Sequence, residues 1–340
     1  MRKIVIIIGE LFVYSSLFAQ QNTTDLTDIS SMERRVTALE KITSSLPKIS
    51  GFINVRYQYN EESNSFDIRR ARLDFKGDLT TKFDYRFQME FAGGPKILDA
   101  YLRCKIDRSF NLQVGEFKIP FSMENIYGPT TLETADNSMA ISNLCNYNDI
   151  SGISANGRDV GIGLYGGFIK RDGYNIIDYA VGVFNGNGIN IKDNNKSKDF
   201  SGRLTISPMR HLSFSGSYYN GSYGKEGESH GRVRAGCGAK WEDLRLLLRS
   251  EYIYGKTGGI ESDGVYIVAG YFAHPKVQPI LKYDYFLRDK SDSHTAENDY
   301  LIGLNYFPMQ KLRLQLNYVY KMLAARKDVN SLTLQFFALF

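Results

Sequence analysis

The sequence predicts an all-β protein: a transmembrane antiparallel β-barrel of about 16 strands with a short N-terminal coiled-coil helix. Three observations lead there. The first is alternation. In residues 66–77, FDIRRARLDFKG, one set (Ala71, Leu73, Phe75) suits a greasy surface and the other (Arg70, Arg72, Asp74, Lys76) suits water, and side chains alternate across a strand with period two. A soluble sandwich would also bury one set and wet the other. What decides for a barrel is that the pattern recurs about sixteen times with no recognisable helix between strands. The second observation is composition: 340 residues, 43% of them hydrophobic, with a mean hydropathy of −0.31, exclude a bundle of transmembrane helices. The 23 Tyr and 21 Phe beside one Trp, and 31 Gly beside 8 Pro, fit many strands joined by turns, with aromatic girdles at two lipid interfaces. The third is that connections alternate between short and long.

Residues 1–19 read as a secretory signal peptide: Arg2 and Lys3, an apolar stretch interrupted by Glu10, then Ala19 at the cleavage position. Its removal takes net charge from +5 to about +4, a mild excess that gives no reason to expect a nucleic-acid partner. Residues 20–47 form a polar leader followed by Ile29, Met32, Val36, Leu39, Ile42 and Leu46 at intervals of three or four, closed by Pro47. This is either a trimerisation stub or a single amphipathic linker helix.

The barrel is expected over 48–340. In the first strand Ile53, Val55, Tyr57 and Tyr59 oppose Asn54, Arg56 and Gln58. The second is the opening stretch, where Arg69 breaks the apolar set and marks the strand leaving the membrane. In the third, Phe83, Tyr85, Phe87, Met89 and Phe91 oppose Asp84, Arg86, Gln88 and Glu90; in the fourth, Leu98, Ala100, Leu102, Cys104 and Ile106 oppose Asp99, Tyr101, Arg103 and Lys105. Five apolar positions on one face span a lipid belt. Later strands are expected at 158–165, 176–184, 200–206, 212–219, 232–241, 244–254, 265–273, 277–287, 300–307, 312–321 and 331–340.

Junctions after even strands are short (78–82, 107–109, 207–211, 242–243, 274–276, 308–311), and those after odd strands are longer (60–65, 185–198, 221–231, 255–264, 289–298, 324–330). Two alternating classes mean two faces, with short turns and both termini in the periplasm and long loops outside. The longest connection, 120–156, is the third external loop. A connection of that length is usually functional; folded into the lumen it narrows the channel, whereas as a cap it would not, and infolding is the expectation.

Chemistry has little support. Cys104, Cys145 and Cys237 lack metal-site spacing. Gly161–Gly166, GIGLYG, matches a dinucleotide pattern without the helix that pattern needs; Gly161 and Gly163 instead fit a lumen face that leaves room for an inserted loop. No nucleophile elbow is present, and His211, His230, His274 and His294 all fall in expected turns or loops. Neither enzyme activity nor a cofactor or metal is expected.

Three segments together, FDIRRARLDFKGDL (66–79), VGEFKIPFSMEN (114–125) and GRDVGIGLYG (157–166), resemble the family of phosphate-selective porins O and P. The resemblance implies a homotrimer of sixteen-stranded barrels in outer-membrane lipid, an infolded third loop, and basic residues guiding small inorganic anions, phosphate or polyphosphate among them. Parity alone puts Arg56, Arg70, Arg72, Lys76, Arg86, Arg103, Lys105, Arg203, Arg234, Arg245 and Arg249 on the lumen set as a candidate anion path, with Arg232, Lys282, Arg313 and Lys321 beside them. Asp74, Asp84, Glu90, Asp99, Glu251 and Asp284 share that set, and the basic surplus favours anions. A plugged structural or adhesive barrel and an outer-membrane hydrolase are the rival readings.

Overall fold

A computed structural model describes Met32, residues 34–37 and residues 46–340. Met32 and residues 34–37 are helical and exposed. The signal peptide and the heptad positions Ile29, Leu39 and Ile42 lie outside the described residues.

Sixteen strands close into one barrel: β1 (Lys48–Asn60), β2 (Asn64–Asp78), β3 (Phe83–Glu90), β4 (Lys96–Lys105), β5 (Asn111–Lys118), β6 (Arg158–Arg171), β7 (Tyr174–Phe184), β8 (Asp199–Met209), β9 (Leu212–Tyr223), β10 (His230–Glu242), β11 (Leu246–Thr257), β12 (Ile260–Tyr271), β13 (Val277–Leu287), β14 (Ala296–Met309), β15 (Leu312–Leu323) and β16 (Val329–Leu339). Each strand pairs antiparallel with its sequence neighbours, and β1 pairs with β16 from Phe52↔Leu339 to Asn60↔Ser331. Closure satisfies every edge, which a sheet in hydrocarbon requires. Along each strand burial alternates as the sequence alternates: Ile53, Leu102, Val114, Phe214, Leu281 and Ile302 are exposed outward, while Asn54, Asp84, Asp99, Arg249 and Gln315 are enclosed.

Connections after even strands run two to five residues. Those after odd strands include 119–157, 185–198 and 288–295, but two expected long loops are shorter than alternation suggested. The expected loop 255–264 shrinks to Gly258 and Gly259, because β11 and β12 continue their ladder to Thr257↔Ile260 with Lys256 paired to Glu261 at 3.0 Å. Likewise 60–65 reduces to 61–63. Hydrophobicity ends with the lipid belt, whereas backbone pairing does not. His230, expected in a loop, opens β10 for the same reason. At the opposite end β6 and β7 extend to a two-residue hairpin, with Asp172 at φ 44° and Gly173 at φ 88° as a tight turn demands.

Two β-bulges overturn orientation assignments. Asn54 pairs with Arg70 and Val55 with Ile68, so Arg69 is an extra residue on β2. A bulge shifts the phase of alternation. Ile68 and Phe66 therefore remain outward, and Arg69 reaches into the lumen instead of marking the strand's exit. On β4, Gln88 pairs with Asp99 and Met89 with Ile97, making Leu98 the extra residue. Leu98 leaves the lipid-facing set and is fully buried with Ala155 and Ile189, with Ile153 against them.

The packed core lies inside the barrel. The connection 119–157 carries one short helix, α1 (Met139–Leu144), with Met139, Ala140, Ile141 and Leu144 buried. Six residues are too few to hold a helix by propensity; the apolar face packs with Phe117, Phe121, Phe184, Ile253, Tyr266, Ile280 and Phe286. Gly161 and Gly163 serve this cluster rather than the inserted loop directly. A Cβ on Gly161 would sit 2.7 Å from Phe184 Cδ1, and one on Gly163 3.2 Å from Phe117 Cζ.

Candidate functional site

The connection between β5 and β6 is tied to the far wall of the barrel by side chains from β8 to β16. Buried backbone groups need partners, and the wall supplies them. Glu251 accepts from Ser122 Oγ at 2.8 Å and from the Met123 amide at 2.9 Å. Asn317 accepts from the Ala135 amide at 2.7 Å, and Asp284 from the Met139 amide at 2.9 Å. Gln315 and Asn305 both donate to the Glu133 carbonyl, and Arg313 donates to the carbonyls of Pro129, Thr130 and Leu132.

The sequence-assigned cations divide accordingly. Arg234 and Arg249 are engaged with this connection: Arg234 bonds Asp149 at 3.1 Å, and Arg249 clamps Glu133 at 2.7 and 3.2 Å, with guanidinium groups about 1% exposed. Arg232 pairs with Asp199 at 2.8 Å and also bonds Asn146, while Lys282 pairs with Asp284 and Lys321 with Glu297 and Asp299. Arg203 donates to the Ser122 carbonyl at 2.9 Å. Arg245 precedes β11 in an exposed turn, where Asp243 accepts from the Arg245 and Leu246 amides and from Trp241 Nε1. Those three donors push the Asp243 carboxyl down to about 2.

The remaining cations stand on the near wall. Arg56 pairs with Asp67 at 2.6 Å, Arg72 with Glu90 at 2.8 Å, and Lys76 with Asp74 at 3.0 Å. Arg86 bridges Asp74 and Asp99, Arg103 bonds Asp84, and Lys105 reaches Asp84 and Asp78. Arg70 differs, because its Nη1 is buried without a hydrogen-bond partner. Two cations outside the sequence-derived path join them. Arg158, at the start of β6, pairs with Asp99 at 2.9 Å, and Lys118, at the end of β5, donates to the carbonyls of Asn125 and Tyr127. Both sit in the segments that carried the family resemblance; parity missed them because each lies at a strand end.

Three cavities adjoin one another between the connection and the barrel wall. One of about 530 Å³, near the short turns, is lined by Arg86, Arg103, Lys118 and Arg203 together with Tyr101 and Phe117. A second of about 380 Å³ is lined by Gln58, Asp136, Lys282, Asp284, Asp299 and Lys321. The third, of only about 20 Å³, adjoins both and is bounded by Arg70, Arg72, Lys118 and Arg158 with Tyr127 and Tyr147. It shares Lys118 with the first cavity and Ala135 and Asn137 with the second. Glu90 and Asp99 neutralise Arg72 and Arg158, which leaves Arg70 as the guanidinium there without a paired acid. Asp136 stands at the mouth of this passage and pairs with Arg69 at 3.2 Å.

The sequence profile of the phosphate-selective porin O and P family matches residues 50–335. Among solved structures, the chain is similar to an anion-selective porin from Comamonas acidovorans, with 14% identity over 86% of this chain and 99% of that one and a TM-score of 0.66. It is similar as well to OmpF of Salmonella typhi in complex with daunomycin (10% identity, 88% and 99% covered, TM-score 0.63). OmpT of Vibrio cholerae, in its trimer form, gives 11% identity, 86% and 99% covered, and a TM-score of 0.62. No curated protein matches by sequence.

Proposed function

The chain belongs to the family of phosphate-selective porins O and P, and on that premise we propose that this outer-membrane channel passes small anions, phosphate or polyphosphate among them, by diffusion without chemistry. The observation that carries the reading is the narrow stretch at Arg70, Arg72 and Arg158, where three guanidinium groups face two acids. A net positive constriction lowers the entry cost of negative solutes, and guanidinium forks suit oxyanions in particular. The anion-selective porin among the similar folds lends support. The third connection, anchored to the far wall, is the element that narrows the lumen. Long loops facing outward and termini facing the periplasm complete the orientation. A homotrimer is supported by OmpT in trimer form and by the heptad pattern of the leader.

Single-channel conductance in a planar bilayer, with inorganic phosphate added against chloride, tests this reading. Anion preference with block by phosphate is expected. Deleting residues 130–145 should raise conductance, because it removes α1 and the constricting side of the passage. A second reading, a plugged structural barrel, draws on the passage of only about 20 Å³; absence of any conductance in a folded, inserted barrel would favour it.

A further inference from the structure

We propose that Asp136 is a tethered counter-anion, occupying at the mouth of the constriction the position on Arg69 that a permeating oxyanion would take, so that solutes enter by exchange and do not lodge. The inference rests on the anion-channel reading above and names a residue that tunes it.

The backbone around Asp136 is fixed on both sides. The Ala135 amide donates to Asn317 and its carbonyl accepts from Gln335, the Asp136 carbonyl accepts from Thr134 Oγ1 at 2.9 Å, and Ser138 donates twice to Glu124 at 2.6 and 2.8 Å. The segment thus leans on β15 and β16 and presents its carboxylate to β2, two strands beyond β16 around the closed barrel. There the bulge on β2 has turned an additional arginine inward, and Arg69 Nη2 lies 3.2 Å from Asp136 Oδ1.

Exposure separates this pair from its neighbours. Arg72–Glu90 and Arg158–Asp99 have side chains at most 6% exposed, whereas Arg69 and Asp136 are 38% and 50% exposed to the lumen. A solvated pair is weak and opens readily, while an enclosed one is not displaced without leaving a buried charge. Asp136 is therefore the acid at this point that a solute can displace. Its position fits such an exchange, since it lines the cavity on one side while its neighbours Ala135 and Asn137 line both that cavity and the passage. Beside Arg69, Arg70 lines the adjoining passage, so an oxyanion that displaces the carboxylate comes near a second guanidinium group. A competitor held in place by the backbone need not be gathered from solution, so the carboxylate returns when a solute leaves.

The test uses the full-length protein in planar bilayers, reading chloride current while inorganic phosphate is added. In Asp136→Asn, phosphate should block at several-fold lower concentration than in the wild type, and reversal potential in a salt gradient should move toward anions. Asp136→Glu should keep wild-type behaviour, and Arg69→Gln added to Asp136→Asn should abolish the gain. Heat-modifiable migration on gels checks that each variant folds. If the wild type prefers anions and is blocked by phosphate but Asp136→Asn is indistinguishable from it, the tether is wrong while the channel reading stands. A wild type with neither property overturns both.

Discussion

Replacing Arg70 by Gln removes one positive charge from the small cavity it lines without stripping an acid of its partner, since Glu90 retains Arg72. Arg72 and Arg158 there are matched by Glu90 and Asp99, so the substitution removes the guanidinium in excess. For an anion about 5 Å from the guanidinium, the lost attraction is ~0.8 kcal/mol if water fills the passage and ~3 kcal/mol at an effective dielectric constant of about 20. At about 1.4 kcal/mol per decade, anion preference should fall by about fourfold at the least and more than a hundredfold at the most. The assay is reversal potential across a bilayer in a salt gradient, with Lys225→Gln on an exposed loop as the control for diffuse surface charge. Equal shifts for the two variants would refute a selective role for the passage.

Other expectations follow from the packing. Arg249→Ala leaves Glu133 and Glu124 facing a dry wall without their guanidinium, a change that costs about 3–5 kcal/mol in comparable buried pairs; urea unfolding in lipid vesicles should show it, and adding Glu133→Gln should restore part. Gly161→Ala places a methyl 2.2 Å from the Val183 carbonyl oxygen and 2.7 Å from Phe184, so a loss of about 1–3 kcal/mol is expected from overpacking. An unchanged unfolding midpoint would mean that the strand shifts freely. Cys237 is exposed on the outward face and Cys145 is fully buried. An apolar maleimide should therefore label Cys237 in vesicles where a charged one does not, and Cys145 should react only after denaturation; labelling of Cys237 by the charged reagent would place that face in water.

Alternation carried the barrel because a lipid belt and a wet lumen impose opposite demands on neighbouring residues, as Ile53 against Asn54 on β1 and Phe83 against Asp84 on β3 show. The limits of the pattern were equally physical. At Arg69 two consecutive polar residues in an otherwise alternating stretch were the trace of a bulge, and Leu98 shows the same slip with no polar signal at all. Loop ends could not be read at Thr257 because backbone pairing outlasts hydrophobicity. The division of the arginines was beyond one-dimensional reading: parity gives Arg234 and Arg70 the same face, and only the path of residues 119–157 across the lumen engages one and leaves the other beside the passage.

The anchoring of residues 119–157 has a consequence for how the barrel is made. Its partners lie far ahead in the chain: Ala135 waits for Asn317, 182 residues later, and Met123 for Glu251, 128 residues later. Until β11 to β16 arrive, the Met139 and Ala135 amides and the Glu133 carboxylate have only water to bond, and α1 lacks the apolar surface that Ile253, Tyr266, Ile280 and Phe286 give it. Contacts of such long range form late, after the entropy of closing the intervening chain has been met. Docking of this segment therefore belongs to the end of assembly, and it reports that the last strands have found β1. A barrel stalled before β15 would hold an open, wet lumen with a loose segment in it, a target for periplasmic proteases that the finished channel no longer presents.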